Sequence, residues 1–283
     1  MNLKGKPFYL DDSAVEWVNK TLEKLTEDEK IGQLFFPIGF SNEKEYLNHL
    51  IDLGIGGLFF RPGEAKEVQQ AYEYMQRNSK VPLLTAANLE DGGNGASVEG
   101  TAFGNQMAVA ATNRTSDAYT LGKIAATEGK AVGVNFGFSP VVDLDLNFRN
   151  PITNVRTYGS DVERVIKNAK EYIQAFHDNG SMTSIKHFPG DGVDERDQHL
   201  LTSINSLSVN NWRKTFGKVY QELIDFGSKA VMVGHIAFPA YSGDDMPATL
   251  SPKLINDLLR TELGFNGLTI TDATPMVGFC SAM

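Results

Sequence analysis

The chain has 283 residues and sets 26 Lys and Arg against 35 Asp and Glu, a net charge of −9 with a pI near 5.1. A hydrophobic share of 41% and a charged share of 22% exclude a disordered tail or a collagen-like chain, and the length suits one large α/β barrel or two ordinary domains. The acidic balance argues against nucleic acid and anionic membrane surfaces, and Cys280 has no second cysteine with which to form an internal disulfide.

Met1 to Leu10 lacks the apolar stretch of about 7–15 residues that a secretory signal needs. No apolar run approaches the ~20 residues that span a bilayer, so a cytoplasmic protein is expected. Thr26 and Glu29 form a capping-box pattern, and a first strand is expected at Gly32–Ile38. A helix follows over Glu43–Leu53, started near Ser41, with Leu47, Leu50 and Ile51 on one face. The alternation continues with strand Gly57–Phe60, helix Ala65–Gln76, strand Pro82–Ala86, helix Ser116–Ala131 and strand Asn135–Val141. Helix Asp161–Asn179, capped by Ser160 or Asp161, then leads to strand Thr183–His187, helix Val209–Phe226 and strand Ala230–His235. Ser251 and Pro252 start helix Lys253–Leu263, and the last strand is Leu268–Thr271.

Such βα alternation means parallel strands with right-handed crossovers, in an open sheet or a (β/α)₈ barrel. Polar residues decide for the barrel. Arg61, Asn88 to Asp91, Asp143, Lys186 with His187, His235 and Asp272 each follow a strand directly, and a barrel gathers strand ends around one mouth. Ala273 to Met283 are too few for another βα unit. The expectation is therefore an α/β, TIM-type barrel of about seven strands, a single catalytic domain over 1–283 that stops after the seventh strand and leaves an apolar edge exposed.

The densest chemistry runs from Lys186 to His199, KHFPGDGVDERDQH. Gly190 and Gly192 permit a tight loop, which would carry Lys186, His187, Asp191, Asp194, Asp197 and His199 over the mouth. Asp197 and His199 are spaced so that the carboxylate can accept from imidazole Nδ1–H, as in a general acid/base. Spacing alone fits equally a solvated loop whose charges are unconnected. Asp272 by itself is either a reactive strand-end carboxylate or a cap for the next helix.

This segment resembles the signature of glycoside hydrolase family 3 in its bacterial β-N-acetylglucosaminidase branch: K-H-F-P-G-x-G, four residues, then D-x-H. Phe136–Asn147, Asn154–Gly159, Val231–Ala240 and Pro247–Ala273 agree in the same order. The resemblance implies retaining, exo-acting hydrolysis of terminal β-linked N-acetylglucosamine through a covalent glycosyl-enzyme, without a cofactor or metal. It implies Asp272 as nucleophile, His199 as acid/base and Asp197 as its orienting partner. Lys186, His187 and Arg156 would hold sugar hydroxyls. Where the family usually has D-x-E-G-G this chain reads Asn88-Leu89-Glu90-Asp91-Gly92-Gly93, so Asn88 or Asp91 would take over the grip of the missing aspartate. His235 falls where the family has a histidine near the site; a strand-end histidine is also commonly a hydrogen-bonded core residue. The implied partner is a small carbohydrate such as a muropeptide or chitooligosaccharide fragment, and the sequence sets no oligomeric state. Because a neutral imidazole does not repel anions, phosphate could compete with water as acceptor.

Other readings compete. A β-glucosidase-like member of the family and a non-catalytic sugar-binding relative share the same motifs. A metal-dependent hydrolase could draw on His187, Asp191, Asp194, His199, His235 and Asp272, although the first strand offers no ligand. A Schiff-base aldolase would use Lys186. Dinucleotide binding fits poorly, because Gly54-Ile55-Gly56-Gly57 precedes a strand and the fingerprint must follow one.

Overall fold

The computed structural model describes residues 1–283. Its strands are β1 (Ile38–Gly39), β2 (Gly57–Phe60), β3 (Leu84–Ala87), β4 (Phe136–Gly137), β5 (Met182–Phe188), β6 (Ser203–Ile204), β7 (Ala230–Val233), β8 (Ile236–Ala237) and β9 (Leu268–Thr271). Seven of them form one parallel sheet in the order β1-β2-β3-β4-β5-β7-β9, while β6 and β8 pair separately. The sheet curls into an incomplete α/β barrel. β1 and β9 end it and do not pair with each other.

The helices are α1 (Asp12–Lys24), α2 (Glu27–Gly32), α3 (Lys44–Asp52), α4 (Ala65–Asn78), α5 (Gln106–Ala111), α6 (Thr115–Ala131), α7 (Val162–Asp178), α8 (Val209–Lys214), α9 (Phe216–Phe226), α10 (Pro239–Ser242) and α11 (Val277–Cys280). Residues Lys253–Glu262 wind as a π-helix, with Leu263 N–H reaching back five residues to the Leu258 carbonyl. No helix is long and apolar enough to cross a membrane.

Two apolar layers follow from the alternation of strand side chains. Inside the curl, Ala230 and Met232 of β7 join Phe59, Ala86, Phe136 and Phe138, with Leu268 and Ile270 of β9 beside them. Outside it, Val231 and Val233 face the helix layer with Tyr172, Phe176, Tyr220 and Leu223.

Most expected elements form, with shifted ends. The first strand is the main correction: the capping box at Thr26 and Glu29 carries a helix through Gly32, so only Ile38–Gly39 pairs with β2. Strand Asn135–Val141 forms a ladder over Phe136–Gly137 and resumes only as an isolated bridge between Val141 and Lys186, Pro140 between them having no N–H to give. Asp161, and not Ser160, caps α7 by accepting from Arg164 N–H at 2.7 Å. At α6 the cap position is Arg114, whose guanidinium pairs with Asp117. The helix expected over Val209–Phe226 breaks at Thr215, whose φ/ψ of −117°/−102° is non-helical. That break is useful. It lets Trp212 lie fully buried with its indole N–H donating to the Pro189 carbonyl at 2.7 Å, beneath the loop after β5.

Candidate active site

The loop after β5 is shaped by its glycines. Gly190 and Gly192 have φ of +120° and +100°. A Cβ on Gly190 would lie 2.2 Å from the Phe216 ring, and one on Gly192 would lie 2.0 Å from the Leu144 carbonyl. Register between β5 and β7 shifts between Ile185 and Phe188, a bulge that releases Lys186 and His187 from strict alternation. Both side chains are buried beside the ends of β3, β4 and β9.

His187 stands between two carboxylates. Its Nδ1 lies 2.6 Å from Asp143 Oδ2 and its Nε2 lies 3.9 Å from Asp272 Oδ2. Asp143 is fully buried and also accepts the backbone N–H groups of His187 and Asp191. Since a carboxylate facing Nδ1 accepts, Nδ1 carries a proton, and Nε2 faces Asp272.

Asp272 follows β9 directly and its carboxylate is 18% exposed, open enough to meet a ligand. Burial pushes its pKa up, but His187, the Ala273 N–H, Lys186 and His235 outweigh that and hold it below the ordinary carboxylate value. It is therefore ionised at neutral pH.

A second ion cluster lies beside it. Glu90 accepts from Arg156 in bidentate fashion, Nε and Nη2 each at 2.8 Å, and pairs with Lys186 Nζ at 2.7 Å. Burial disfavours the Glu90 charge, yet the two cations keep it well below its usual range; burial likewise opposes the Arg156 charge and Glu90 overrides it. Asn88 is exposed and accepts from Lys186 at 3.2 Å. Asp91 is half-buried and its carboxylate makes no hydrogen bond within the chain; burial, then the Glu90 charge, raises its pKa.

His199 is on the rim, its side chain 56% exposed and so free to meet a ligand. Its Nδ1 lies 2.6 Å from Asp197 Oδ1, and the same oxygen accepts the His199 backbone N–H at 2.8 Å, so the two charges are connected. The loop is tied to the segment after Asp272: Val277 N–H donates to the His199 carbonyl at 2.9 Å and Gly278 N–H to the Gln198 carbonyl at 3.2 Å.

The structure thus gathers Lys186, His187, Arg156, Asn88 and Asp272 around the strand ends and ties the Asp197–His199 pair to the same region. His235 is placed differently. It is fully buried, with Nδ1 at 3.0 Å from Thr249 Oγ1 and Nε2 at 3.0 Å from the Ala273 carbonyl, so neither ring nitrogen is free for a sugar. Burial lowers its pKa. Its position is behind the Asp272 loop. Glu90, Asp143 and Gln198 were not among the candidate residues. The first two carry the strand-end signal that marked Asp272; Gln198 carries no signal beyond its place between Asp197 and His199. No three His, Cys, Asp or Glu side chains come together as a metal site.

Fold and site define a parallel α/β barrel, open on one side, whose mouth holds an ionised carboxylate and an imidazole–carboxylate pair. The chain belongs to glycosyl hydrolase family 3, matching the model of that family's N-terminal domain over residues 26–282. A "Beta-N-acetylglucosaminidase/beta-glucosidase" of Cellulomonas fimi is 45% identical over 100% of this chain and 52% of its own length. "Beta-hexosaminidase A" of Pseudoalteromonas piscicida is 34% identical over 72% of this chain and 37% of its own. The solved "Beta-glucoside phosphorylase BglX bound to 2FGlc" superimposes with a TM-score of 0.95 at 44% identity, covering 99% of this chain and 53% of that one. A family 3 β-N-acetylglucosaminidase from Paenibacillus sp. gives 0.85 at 30% identity, covering 91% and 51%. The chain spans about half or less of the length of these proteins.

Proposed function

We propose that residues 1–283 supply the catalytic barrel of a retaining, exo-acting β-N-acetylglucosaminidase that removes terminal β-linked N-acetylglucosamine. The observation that supports it is the pairing of an ionised Asp272 with a His199–Asp197 dyad on two segments hydrogen-bonded to each other. In the first step Asp272 attacks the anomeric carbon while His199, protonated on both nitrogens, gives its Nε2 proton to the departing oxygen; Asp197 stabilises the imidazolium through Nδ1–H. In the second, neutral His199 takes a proton from water, the resulting oxygen nucleophile attacks the anomeric carbon, and Asp272 leaves as carboxylate. Histidine as a residue type titrates near neutrality, which suits one side chain to both duties.

Lys186, His187, Arg156 and Asn88 would hold sugar hydroxyls, with His187 Nε2 facing Asp272 Oδ2 at 3.9 Å. Muropeptide or chitooligosaccharide fragments fit this reading as substrates, in a cytoplasmic setting. Chromophore release from an aryl β-N-acetylglucosaminide, faster than from the matching β-glucoside, is the expected result. A preference for the glucoside, or inertness towards both, would defeat the sugar assignment.

A second reading has its own support: the 44%-identical solved relative is titled a β-glucoside phosphorylase, and His199 takes the acid/base place without adding a carboxylate that would repel an anion. Under it, phosphate attacks the glycosyl-enzyme in place of water. Sugar 1-phosphate among the products in phosphate buffer would establish it, and free sugar alone would dismiss it.

A further inference from the structure

Gln198 lies between Asp197 and His199, yet its side chain turns inward and is buried while His199 faces solvent. Its Oε1 accepts the His235 backbone N–H at 2.9 Å, and its Nε2 donates to Asp191 Oδ2 at 3.4 Å. Its own carbonyl accepts from Gly278, where an added Cβ would come within 2.4 Å of that oxygen. Only glycine permits this approach.

These contacts close a circuit. Asp191 N–H donates to Asp143 Oδ1 at 2.8 Å, Asp143 Oδ2 takes His187 Nδ1, and His187 Nε2 faces Asp272. From Ala273, next to Asp272, the carbonyl accepts from His235 Nε2, and His235 N–H returns to Gln198. Gln198, Asp191, Asp143, His187 and His235 are buried, so the hydrogen bonds among these five are shielded from competing water.

The geometry points to Gln198 as a positioning residue: its side-chain amide, held by Asp191 and the His235 backbone, fixes the loop that presents the His199 imidazole to the glycosidic oxygen, on the side of the sugar opposite Asp272. This deepens the glycosidase reading and rests on it. Gln198 touches neither substrate nor reacting atoms. Its effect is on where the proton donor stands, so it matters where proton donation matters.

The test uses the full 283-residue chain and compares kcat/KM on an alkyl β-N-acetylglucosaminide, whose leaving group needs a proton, with that on a dinitrophenyl one, which does not. Gln198→Leu keeps volume and removes both side-chain bonds. The expected loss is roughly tenfold to a hundredfold on the alkyl substrate with little change on the activated one, since a small misplacement of a reacting group costs about that much. The exchanged pair Asp191→Asn with Gln198→Glu reverses donor and acceptor and should recover most of the alkyl activity, whereas Gln198→Glu alone, with two facing carboxylates, should not.

His199→Ala serves as reference. If it shows no dependence on leaving group, the acid/base reading itself falls. If it does and Gln198→Leu lowers both substrates equally, or neither, Gln198 is merely structural and the proposal is overturned. Should Gln198→Leu fail to fold, the comparison of Gln198→Glu with the exchanged pair decides alone: no recovery in the pair overturns the proposal.

Discussion

The backbone N–H of Val277 donates to the carbonyl of His199 at 2.9 Å, joining the segment after Asp272 to the loop that carries the imidazole. Gly278 N–H to the Gln198 carbonyl at 3.2 Å is a second tie, and Thr202 Oγ1 adds a third to the Gly278 carbonyl at 2.9 Å. The proposed nucleophile and acid/base are remote in sequence, and main-chain bonds set their relation.

That tie can be removed without breaking the helix that holds it. Val277 is the first residue of α11, and Met276 before it has φ/ψ of −66°/138°, which a following proline accepts. Val277→Pro should cost about 1 kcal/mol of stability, the worth of one hydrogen bond, by denaturant titration. It should also lower kcat/KM more on alkyl than on activated aryl glycosides. Equal loss on both would mean that the bond only supports folding.

Replacement of the two proposed reacting groups should separate their roles. Asp272→Ala should reduce turnover by at least about a thousandfold on every substrate, because no bond to the anomeric carbon can form. His199→Ala should reduce kcat/KM strongly on alkyl glycosides and mildly on dinitrophenyl ones. Steady-state kinetics with both substrates read this directly, and parallel losses for His199→Ala would contradict its assignment as proton donor.

The Asp272 carboxylate is held below its usual pKa chiefly by His187, against burial. A nucleophile works ionised, so the acid limb of kcat/KM governed by Asp272 should fall below the ordinary carboxylate value. In His187→Ala burial is less opposed and the limb should move to higher pH. A pH–rate profile of both proteins checks the direction; an unmoved limb would assign it to another group.

Asp191 should leave a trace in stability. Burial and then the Asp143 charge push its pKa up to about 6, while His187, Gly192 and Asn150 partly oppose this. A carboxyl whose folded pKa is raised favours the folded state below its unfolded value near 3.8 and loses that advantage as pH rises through about 6. The difference in unfolding free energy between the native chain and Asp191→Asn should therefore change by on the order of 2 kcal/mol from acid to neutral pH, to the native chain's disadvantage. Denaturant melts at several pH values measure it. A pH-independent difference would show that Asp191 keeps an ordinary pKa in the fold.

Strand ends were legible because their polar residues interrupt apolar runs. Asp272 after Leu268–Thr271 and Lys186 with His187 near the end of β5 stand at the mouth as that pattern requires. The first strand was not legible, since IGQLFFPIGF is apolar enough for a strand while Thr26 and Glu29 nucleate a helix into it. Periodicity could not arbitrate so short an apolar run. The break at Thr215 was equally hidden, because it is imposed by the seating of Trp212 under Pro189, a contact between segments far apart in the chain.

Composition, alternation and the K-H-F-P-G-D-G run determined by themselves the class of fold, the loop with its two glycines and the family. These are local properties: periodicity, turn chemistry and residue type act within a few positions. Tertiary structure alone decided that Asp143 orients His187, that Glu90 joins Arg156 to Lys186, that His235 faces backward, and that Gln198 turns inward. Each depends on which distant strand end curls next to which, and on where burial makes an unpaired polar group too costly to leave unmet.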